Sequence, residues 1–239
     1  MWKFPRTRRT LRALIPAAPL ALTVGVLPAY AVAAPTPASV PLKCSTADGP
    51  YQRQVEELLG LEADGSQSPE DCLAIQRYQE SQLIVPADGS AGPITYTALY
   101  WEWAQNYPEQ LRGCPERKGR VACVDLGHQI MWVALDGKVA FTPVAIRSGR
   151  AELPTRTGWF RVERRKQDDW STLYNSPMTF SQYFSGGQAI HGVYNNLYEG
   201  PGSHGCVNLR HADAKRLWTV LQQGDAVYVW GAKPGSPTR

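Results

Sequence analysis

Residues 203–208 read Ser-His-Gly-Cys-Val-Asn, and His191-Gly192 stands eleven residues ahead of them. A thiol becomes a good nucleophile only when it loses its proton, and an imidazole is the side chain that most readily takes that proton near neutral pH. Glycine beside the thiol allows a substrate carbonyl to approach the backbone, where neighbouring N–H groups can stabilise a developing oxyanion. These residue types predict acyl transfer through a thioester on Cys206, with His191 or His204 as the base.

Two other interpretations of these residues compete with that one. A lone cysteine in an apolar strand is usually a small buried hydrophobic residue, but Ser-His-Gly before Cys206 and His191 upstream weigh against this. A zinc site built from the nearby histidines and the thiol has suitable ligand types. However, its spacing follows no common ligand pattern and it includes no acidic general base. We therefore expect no metal, and we expect ordinary structural roles for His128 and His211.

The motif resembles the signature of the L,D-transpeptidase (YkuD-type) catalytic domain, in which a histidine and a short loop precede [Ser/Thr]-His-Gly-Cys-apolar-Asn or -Arg. Ser148-Gly149 and the turn at residues 154–158 are similar to further elements of that family, and the resemblance spans about residues 120–231. The loop between the two parts of the motif is short for the family, and Arg156 replaces the second proline of its turn. The resemblance therefore does not transfer a substrate preference.

The resemblance implies a reaction and a role for each motif residue. Cys206 would attack the carbonyl of the third residue in a tetrapeptide stem of peptidoglycan and expel the terminal D-Ala. The side-chain amine of a neighbouring stem would then resolve the thioester into a cross-link. His191 would donate and accept the proton, with the Gly192 backbone carbonyl orienting its ring. No cofactor is needed, and carbapenem-type β-lactams would acylate Cys206.

The remaining site residues follow from the same resemblance. The oxyanion hole would be lined by the backbone N–H groups of His204, Gly205 and Cys206. Substrate-binding roles are implied for Ser203, Asn208 and Tyr183.

Three other functions remain open at this point. Water could take the acyl group, which would make the protein an L,D-carboxypeptidase. A Cys/His endopeptidase of the NlpC type is disfavoured because its cysteine precedes its histidine, whereas here His191 precedes Cys206. A catalytically silent cell-wall-binding protein is the alternative from a different class, and the intact motif weighs against it.

Charge excludes one class of partner. The formal net charge is +4, but five basic and no acidic residues precede residue 34, so the rest of the chain is close to neutral. Nucleic-acid binding needs a concentrated basic face that neutralises phosphates, so we expect no nucleic-acid partner. We expect the protein to act as a monomer on peptidoglycan stem peptides.

Residues 1–33 are organised like a secretory signal peptide, with a basic start, an apolar stretch and small residues at the end. Three prolines interrupt the apolar stretch and argue against a membrane-spanning anchor. A Pro/Ala/Thr-rich linker would follow at residues 34–43. We expect export to the cell wall or the extracellular space, whereas an uncleaved segment would tether the chain to a membrane.

Five cysteines in an exported chain predict disulfide bonds and one remaining thiol. Cys114 and Cys123 flank a short polar stretch that suits a clamped turn, and closing this loop would stabilise the fold by about 2.5 to 3 kcal/mol. Cys44 and Cys72 would then pair within the N-terminal region. Cys206 remains as the free thiol.

Residues 44–112 show apolar positions at helical spacing, and Ala-Asp-Gly-Ser-x-x-Pro at 63–69 recurs at 87–93. Each Asp-Gly marks a turn and each proline can begin a following helix, so two turn-helix units are predicted. The segment resembles the small helical peptidoglycan-binding domain. That resemblance implies that it holds the enzyme on its polymer.

After residue 113 the apolar period changes to two, which predicts strands with a hairpin turn at Asp136-Gly137. The predicted strands cover residues 121–126, 130–135, 139–146, 159–162 and 227–230. One helix is predicted over 212–223 with Gly224 as its C-terminal cap, and a loose tail over 233–239. The fold class is therefore α+β multidomain, with a small helical N-terminal domain before a mostly β catalytic domain (113–232) that has one main helix.

Overall fold

Three helices open the part of the chain that the computed structural model describes, residues 44–236. They are α1 (Gln52–Leu59), α2 (Pro69–Ser81) and α3 (Pro93–Asn106), and a short 3-10 helix follows at Pro108–Gln110. The signal peptide and linker predicted for residues 1–43 lie outside the described range, as do residues 237–239. Within that range no helix is long and apolar enough to cross a membrane.

Helices α2 and α3 confirm the two predicted turn-helix units. Each has its proline in the first turn, where the missing N–H is not needed. At α2 the Ser68 hydroxyl accepts a hydrogen bond from the Asp71 N–H at 3.1 Å, and the Asp71 carboxylate accepts one from the Ser68 N–H at 2.9 Å. Such a reciprocal cap satisfies two N–H groups that the helix itself cannot pair.

Apolar contacts and a disulfide hold the helices together. Val55 and Ile75 are fully buried between them, and Leu99 joins the same cluster from α3. The disulfide between Cys44 and Cys72 ties the start of the described chain to α2.

A nine-stranded sheet forms most of the remaining structure. Its strands are β1 (Arg120–Asp125), β2 (Ile130–Leu135), β3 (Lys138–Arg147), β4 (Gly158–Arg161), β5 (Arg164–Ser171), β6 (Ser176–Ser185), β7 (Gln188–Val193), β8 (Val207–Arg210) and β9 (Ala226–Trp230). The strand order is β4-β9-β1-β2-β3-β8-β7-β6-β5. Neighbours are antiparallel except for the parallel pairs β1–β9 and β7–β8. A single longer helix, α4 (His211–Val220), accompanies the sheet, as the sequence predicted for this part.

The hairpin between β2 and β3 confirms the Asp136-Gly137 prediction. Both residues have positive φ, 51° and 79°, as the two-residue turn that matches strand twist requires. A second disulfide, between Cys114 and Cys123, anchors the segment that enters β1.

The predicted end of the main helix is wrong. Helix α4 ends at Val220 and not near Gly224, because the backbone turns to an extended conformation at Leu221 (φ −86°, ψ 131°). This turn places Leu221 in the core with no exposed surface. Gly224 instead forms the turn into β9, where its N–H donates to the Val162 carbonyl at 2.9 Å.

The helices pack directly against the sheet. The Trp101 indole N–H of α3 donates to the Pro143 carbonyl of β3 at 3.2 Å. The Arg210 guanidinium at the end of β8 lies 4.3 Å from the centre of the same indole ring. Further on, the Asn196 amide, in the loop between β7 and β8, donates to the Leu83 carbonyl at 2.9 Å. The helical segment therefore supports the strands and the loop that carry the motif.

The start of the predicted loose tail is docked. The Lys233 ammonium donates to the Pro201 carbonyl at 2.7 Å, and the Ser236 N–H donates to the Lys233 carbonyl at 3.1 Å. Residues 233–236 thus lie against the loop that leads into the motif.

Candidate active site

The two parts of the motif meet because β7 and β8 are parallel neighbours. In their register His191 lies opposite Asn208. The loop 194–206 connects the two strands, and Cys206 is its last residue, directly before β8. Leu217 of α4 is buried in the same apolar core as residues of β7 and β8, so the helix packs against this strand pair.

A cleft of about 870 Å³ opens at this strand pair. The predicted site residues that line it are Tyr183, His191, Ser203, His204, Cys206 and Asn208. Gly192 and Gly205 do not line the cleft: the Gly192 carbonyl lies 3.1 Å from His191 Nδ1, and the Gly205 N–H bonds Ser203 within the turn before Cys206. The structure therefore brings the predicted site residues together in one place.

His191 is held at both ring nitrogens. Its Nδ1 lies 3.1 Å from the Gly192 carbonyl oxygen, and its Nε2 lies 2.8 Å from the Asn208 amide nitrogen. The side chain is buried, and burial lowers its pKa to about 4. The imidazole is therefore neutral at pH 7.

Cys206 is the free cysteine of the described residues and is partly buried. It packs against a small cluster formed by Met178, Tyr183 and Ala189. Burial raises the pKa of the thiol, while a hydrogen bond with the Ala189 backbone opposes the rise. Within residues 44–236 no hydrogen bond joins Cys206 to His191, since the Asn208 amide stands at Nε2.

The turn before Cys206 is closed by Ser203. The Ser203 hydroxyl donates to the Cys206 carbonyl at 2.6 Å and accepts from the Gly205 N–H at 3.0 Å. The Gly205 N–H is thus engaged within the turn, although it is one of the three groups expected to line the oxyanion hole. Gly205 has φ +107°, and a Cβ at this position would lie only 2.9 Å from Gln188 Cδ. This backbone path requires glycine.

The other histidines are placed differently from His191. His204 stacks on the Tyr174 ring with 4.0 Å between ring centres. His211 is the first residue of α4, and its Nδ1 lies 3.0 Å from the hydroxyl of Thr179 on β6. No group of three or more His, Cys, Asp or Glu side chains suited to a metal ion occurs in the described part of the chain.

One wall of the cleft carries charges that the sequence did not predict. The Tyr183 hydroxyl donates to the Asp169 carboxylate at 2.5 Å, and the Lys166 ammonium lies 3.1 Å from the same carboxylate. The Arg164 guanidinium covers the Tyr183 ring at 3.9 Å. Burial and the bond to Asp169 raise the pKa of Tyr183, so its hydroxyl stays protonated.

Arg147, at the end of β3, is the other residue that sequence reasoning missed. Its guanidinium lies in the cleft and donates to the Asn208 side-chain oxygen and to two carbonyls of the loop 194–206. The only sign of this role in the sequence is that Arg147 is a charged residue that follows an apolar run at the end of a predicted strand. Its partners lie 48 to 61 residues away along the chain, so no local pattern identifies them.

The chain is similar to known proteins in both sequence and fold. The L,D-transpeptidase catalytic domain model (YkuD) matches residues 119–229. The crystal structure of an L,D-transpeptidase (Yku) from Stackebrandtia nassauensis is 37% identical, with a TM-score of 0.56, and the match covers 81% of this chain and 96% of that one.

Two other L,D-transpeptidase structures are also similar. The one from Xylanimonas cellulosilytica is 27% identical with a TM-score of 0.46, and the match covers 78% of this chain and 96% of that one. The one from Enterococcus faecium is 30% identical with a TM-score of 0.42, covering 47% of this chain and 50% of that one. No curated protein matches the sequence. From the identity to the Stackebrandtia protein over most of both chains, and from the matching catalytic domain, the chain belongs to the YkuD family of L,D-transpeptidases.

Proposed function

We propose that this protein is an exported enzyme that cross-links peptidoglycan stem peptides through a thioester on Cys206, with release of D-Ala. The observation that carries the proposal is the shared cleft. A free thiol and a buried neutral imidazole line the same cavity, and the Gly192 carbonyl orients the imidazole ring. Family membership supplies the substrate class.

The proposed reaction begins with both partners neutral. Cys206 gives its thiol proton to His191 as the sulfur attacks the carbonyl of the third stem residue, and the carbonyl electron pair moves to oxygen. When this intermediate collapses, the bond to D-Ala breaks and His191 returns the proton to the leaving amine. The amine of a second stem then attacks the thioester and loses a proton through His191, which regenerates the thiol.

Proton transfer accompanies the attack in this scheme. Burial lowers the pKa of His191 to about 4 and raises that of Cys206, so a stable thiolate-imidazolium pair does not form before substrate binds. Developing charge would instead be stabilised by backbone N–H groups. Those of His204 and Cys206 are the proposed donors, because the Gly205 N–H bonds Ser203.

Replacing the two motif histidines tests which of them is the base. His191→Ala should abolish acylation of Cys206 by a carbapenem, because His191 is the proposed acceptor of the thiol proton. His204→Ala should retain more activity, since its ring stacks on Tyr174 and its backbone N–H survives the substitution. Equal loss in both variants, or a greater loss at His204, would reverse the assignment.

The helical segment 44–112 is proposed to hold the enzyme on peptidoglycan and so to raise the local substrate concentration. Its own core, its disulfide and its contacts with the sheet support this role, because they make it a rigid attachment to the catalytic part. Sedimentation of the Cys206→Ala chain with purified peptidoglycan tests it. The variant should cosediment, and a chain with a disrupted helical surface but intact fold should not.

Product analysis separates this function from its alternatives. Wild-type protein and Cys206→Ala are each incubated with disaccharide-tetrapeptide, and the products are identified by mass. Cross-linked dimers formed only by the wild type support transpeptidation, and tripeptide monomers alone would show that water is the acceptor. No turnover by a folded protein with a reduced Cys206 would favour a cell-wall-binding protein.

A further inference from the structure

The Arg147 guanidinium joins the loop 194–206 to the Asn208 amide, which contacts His191. It donates to the carbonyls of Asn196 at 3.1 Å and Glu199 at 2.8 Å, which fixes the first half of the loop 194–206. Its Nε and Nη2 also face the Asn208 side-chain oxygen at 3.3 and 3.4 Å. The planar fork of arginine suits such simultaneous contacts, whereas a lysine ammonium cannot reproduce them.

The chemistry of these groups orients the Asn208 amide. A guanidinium has only donors, so the amide atom that faces Arg147 must be the oxygen. The amide nitrogen then points to His191 Nε2, 2.8 Å away. Because that nitrogen can only donate, Nε2 must carry a lone pair and no proton. The Gly192 carbonyl can only accept, so the proton of the neutral ring must be on Nδ1.

We infer that Arg147 is a positioning residue that acts through Asn208 to hold His191 as the neutral Nδ1–H tautomer, with a lone pair on Nε2. Arg147 lies outside the Ser-His-Gly-Cys-Val-Asn motif, and its role is specific to the contacts of this chain. Without it the amide is free to reverse, so that its oxygen faces Nε2 and accepts a proton from it. The Gly192 carbonyl would still favour a proton on Nδ1, but the reversed amide would favour one on Nε2, so the two tautomers would compete.

The position of the Asn208 amide also affects the proposed reaction, and this part of the inference rests on the proposed function. The Asn208 amide blocks Nε2 at rest, so it must move aside before His191 accepts the Cys206 proton. Protonation of His191 is disfavoured while the amide nitrogen faces it, because two donors would then oppose each other. Burial acts in the same direction and lowers the pKa of His191 to about 4.

Other charged groups also face His191 and must be separated from this effect. Arg147 on β3 lowers its pKa and Asp169 on β5 raises it through space, and Cys206 shares the cleft. Lys166 on β5 also lines the cleft, where it pairs with Asp169. A substitution that keeps the charge of Arg147 but removes its fork isolates the hydrogen bond.

Nitrogen NMR of the full chain labelled with ¹⁵N-histidine tests the inference without substrate. The chain has four histidines, and His191→Gln assigns the relevant signals. In the wild type we expect a pyridine-like Nε2 and a pyrrole-like Nδ1 between pH 5 and pH 8. In Arg147→Lys and Arg147→Gln the second tautomer should populate, and the titration midpoint should rise by about one pH unit toward the ordinary histidine value. Arg150→Gln, the matched control, should leave the spectrum unchanged.

The outcomes are decisive even where a variant fails to fold. A pyrrole-like Nε2 in the wild type overturns the inference directly, because it needs no substitution. An unchanged tautomer in folded Arg147→Lys and Arg147→Gln would also overturn it. Since no step of the measurement requires turnover, failure here is distinct from failure of the proposed enzymatic function.

Discussion

Replacing Gly205 by alanine should destabilise the fold well beyond the usual cost of an alanine at positive φ. Gly205 adopts φ +107°, and its new Cβ would overlap the Gln188 side-chain amide, with Cδ only 2.9 Å away. Gln188 is buried, and its amide bonds the backbone of the turn at residues 154–158. Its oxygen accepts from the Arg156 N–H at 3.0 Å, and its nitrogen donates to the Pro154 carbonyl at 3.1 Å.

The magnitude is the sum of two terms. An alanine at this φ costs about 1–3 kcal/mol in backbone strain. Displacing Gln188 breaks two neutral hydrogen bonds, each contributing about 1 kcal/mol, so a further loss of about 2 kcal/mol is expected. The resulting loss of about 3–5 kcal/mol would lower the melting temperature by about 10 °C in a domain of this size.

Gly187→Ala is the matched control for the strain term. Gly187 has φ +99°, close to that of Gly205, but nothing lies within 4 Å of a Cβ built there. Urea unfolding should be measured for the wild type and both variants. Gly205→Ala should be less stable than Gly187→Ala by about 2 kcal/mol. Equal losses in the two variants, within about 0.5 kcal/mol, would refute the role given to Gln188.

Two further predictions concern stability. Burial lowers the pKa of His191 to about 4, whereas an unfolded imidazole has a pKa of about 6.5. The unfolded chain therefore binds the proton first, and stability is lost as the pH falls from about 6.5 to about 4, by about 3 kcal/mol in total. Urea unfolding at pH 7 and pH 4.5 should show that the unfolding free energy decreases less for His191→Gln than for the wild type. Equal decreases in the two proteins would contradict this. Removing the Cys44–Cys72 disulfide by alanine substitution should cost about 3.6 kcal/mol, and removing Cys114–Cys123 about 2.7 kcal/mol, because the first bond closes the longer loop. The reverse order in denaturant unfolding would contradict the chain-entropy argument.

Local signals predicted the elements that depend on local physics. Asp136-Gly137 predicted its hairpin because few residues other than glycine and Asx tolerate two successive positive φ values. The prolines at 69 and 93 predicted the starts of α2 and α3. The first four strands of the sheet matched their apolar runs to within a residue.

Elements that depend on distant contacts were not predicted. Strand β5 (Arg164–Ser171) is largely exposed and charged, so it has no apolar alternation to reveal it. The end of α4 at Val220 is set by burial of Leu221 in a core that only the folded sheet creates. Motif residues such as His191 could be named from the sequence, but the hydrogen bonds of Arg147 could not, since their partners come from other strands and loops.

The central claim is that Cys206 is acylated by a stem peptide. The most direct test is the intact mass of the protein after rapid acid quench of a reaction with disaccharide-tetrapeptide, followed by peptide mapping. We predict an adduct equal to the substrate without its D-Ala, located on Cys206 and absent from Cys206→Ala. An adduct at another residue, or none on folded protein with a reduced Cys206, would contradict the claim.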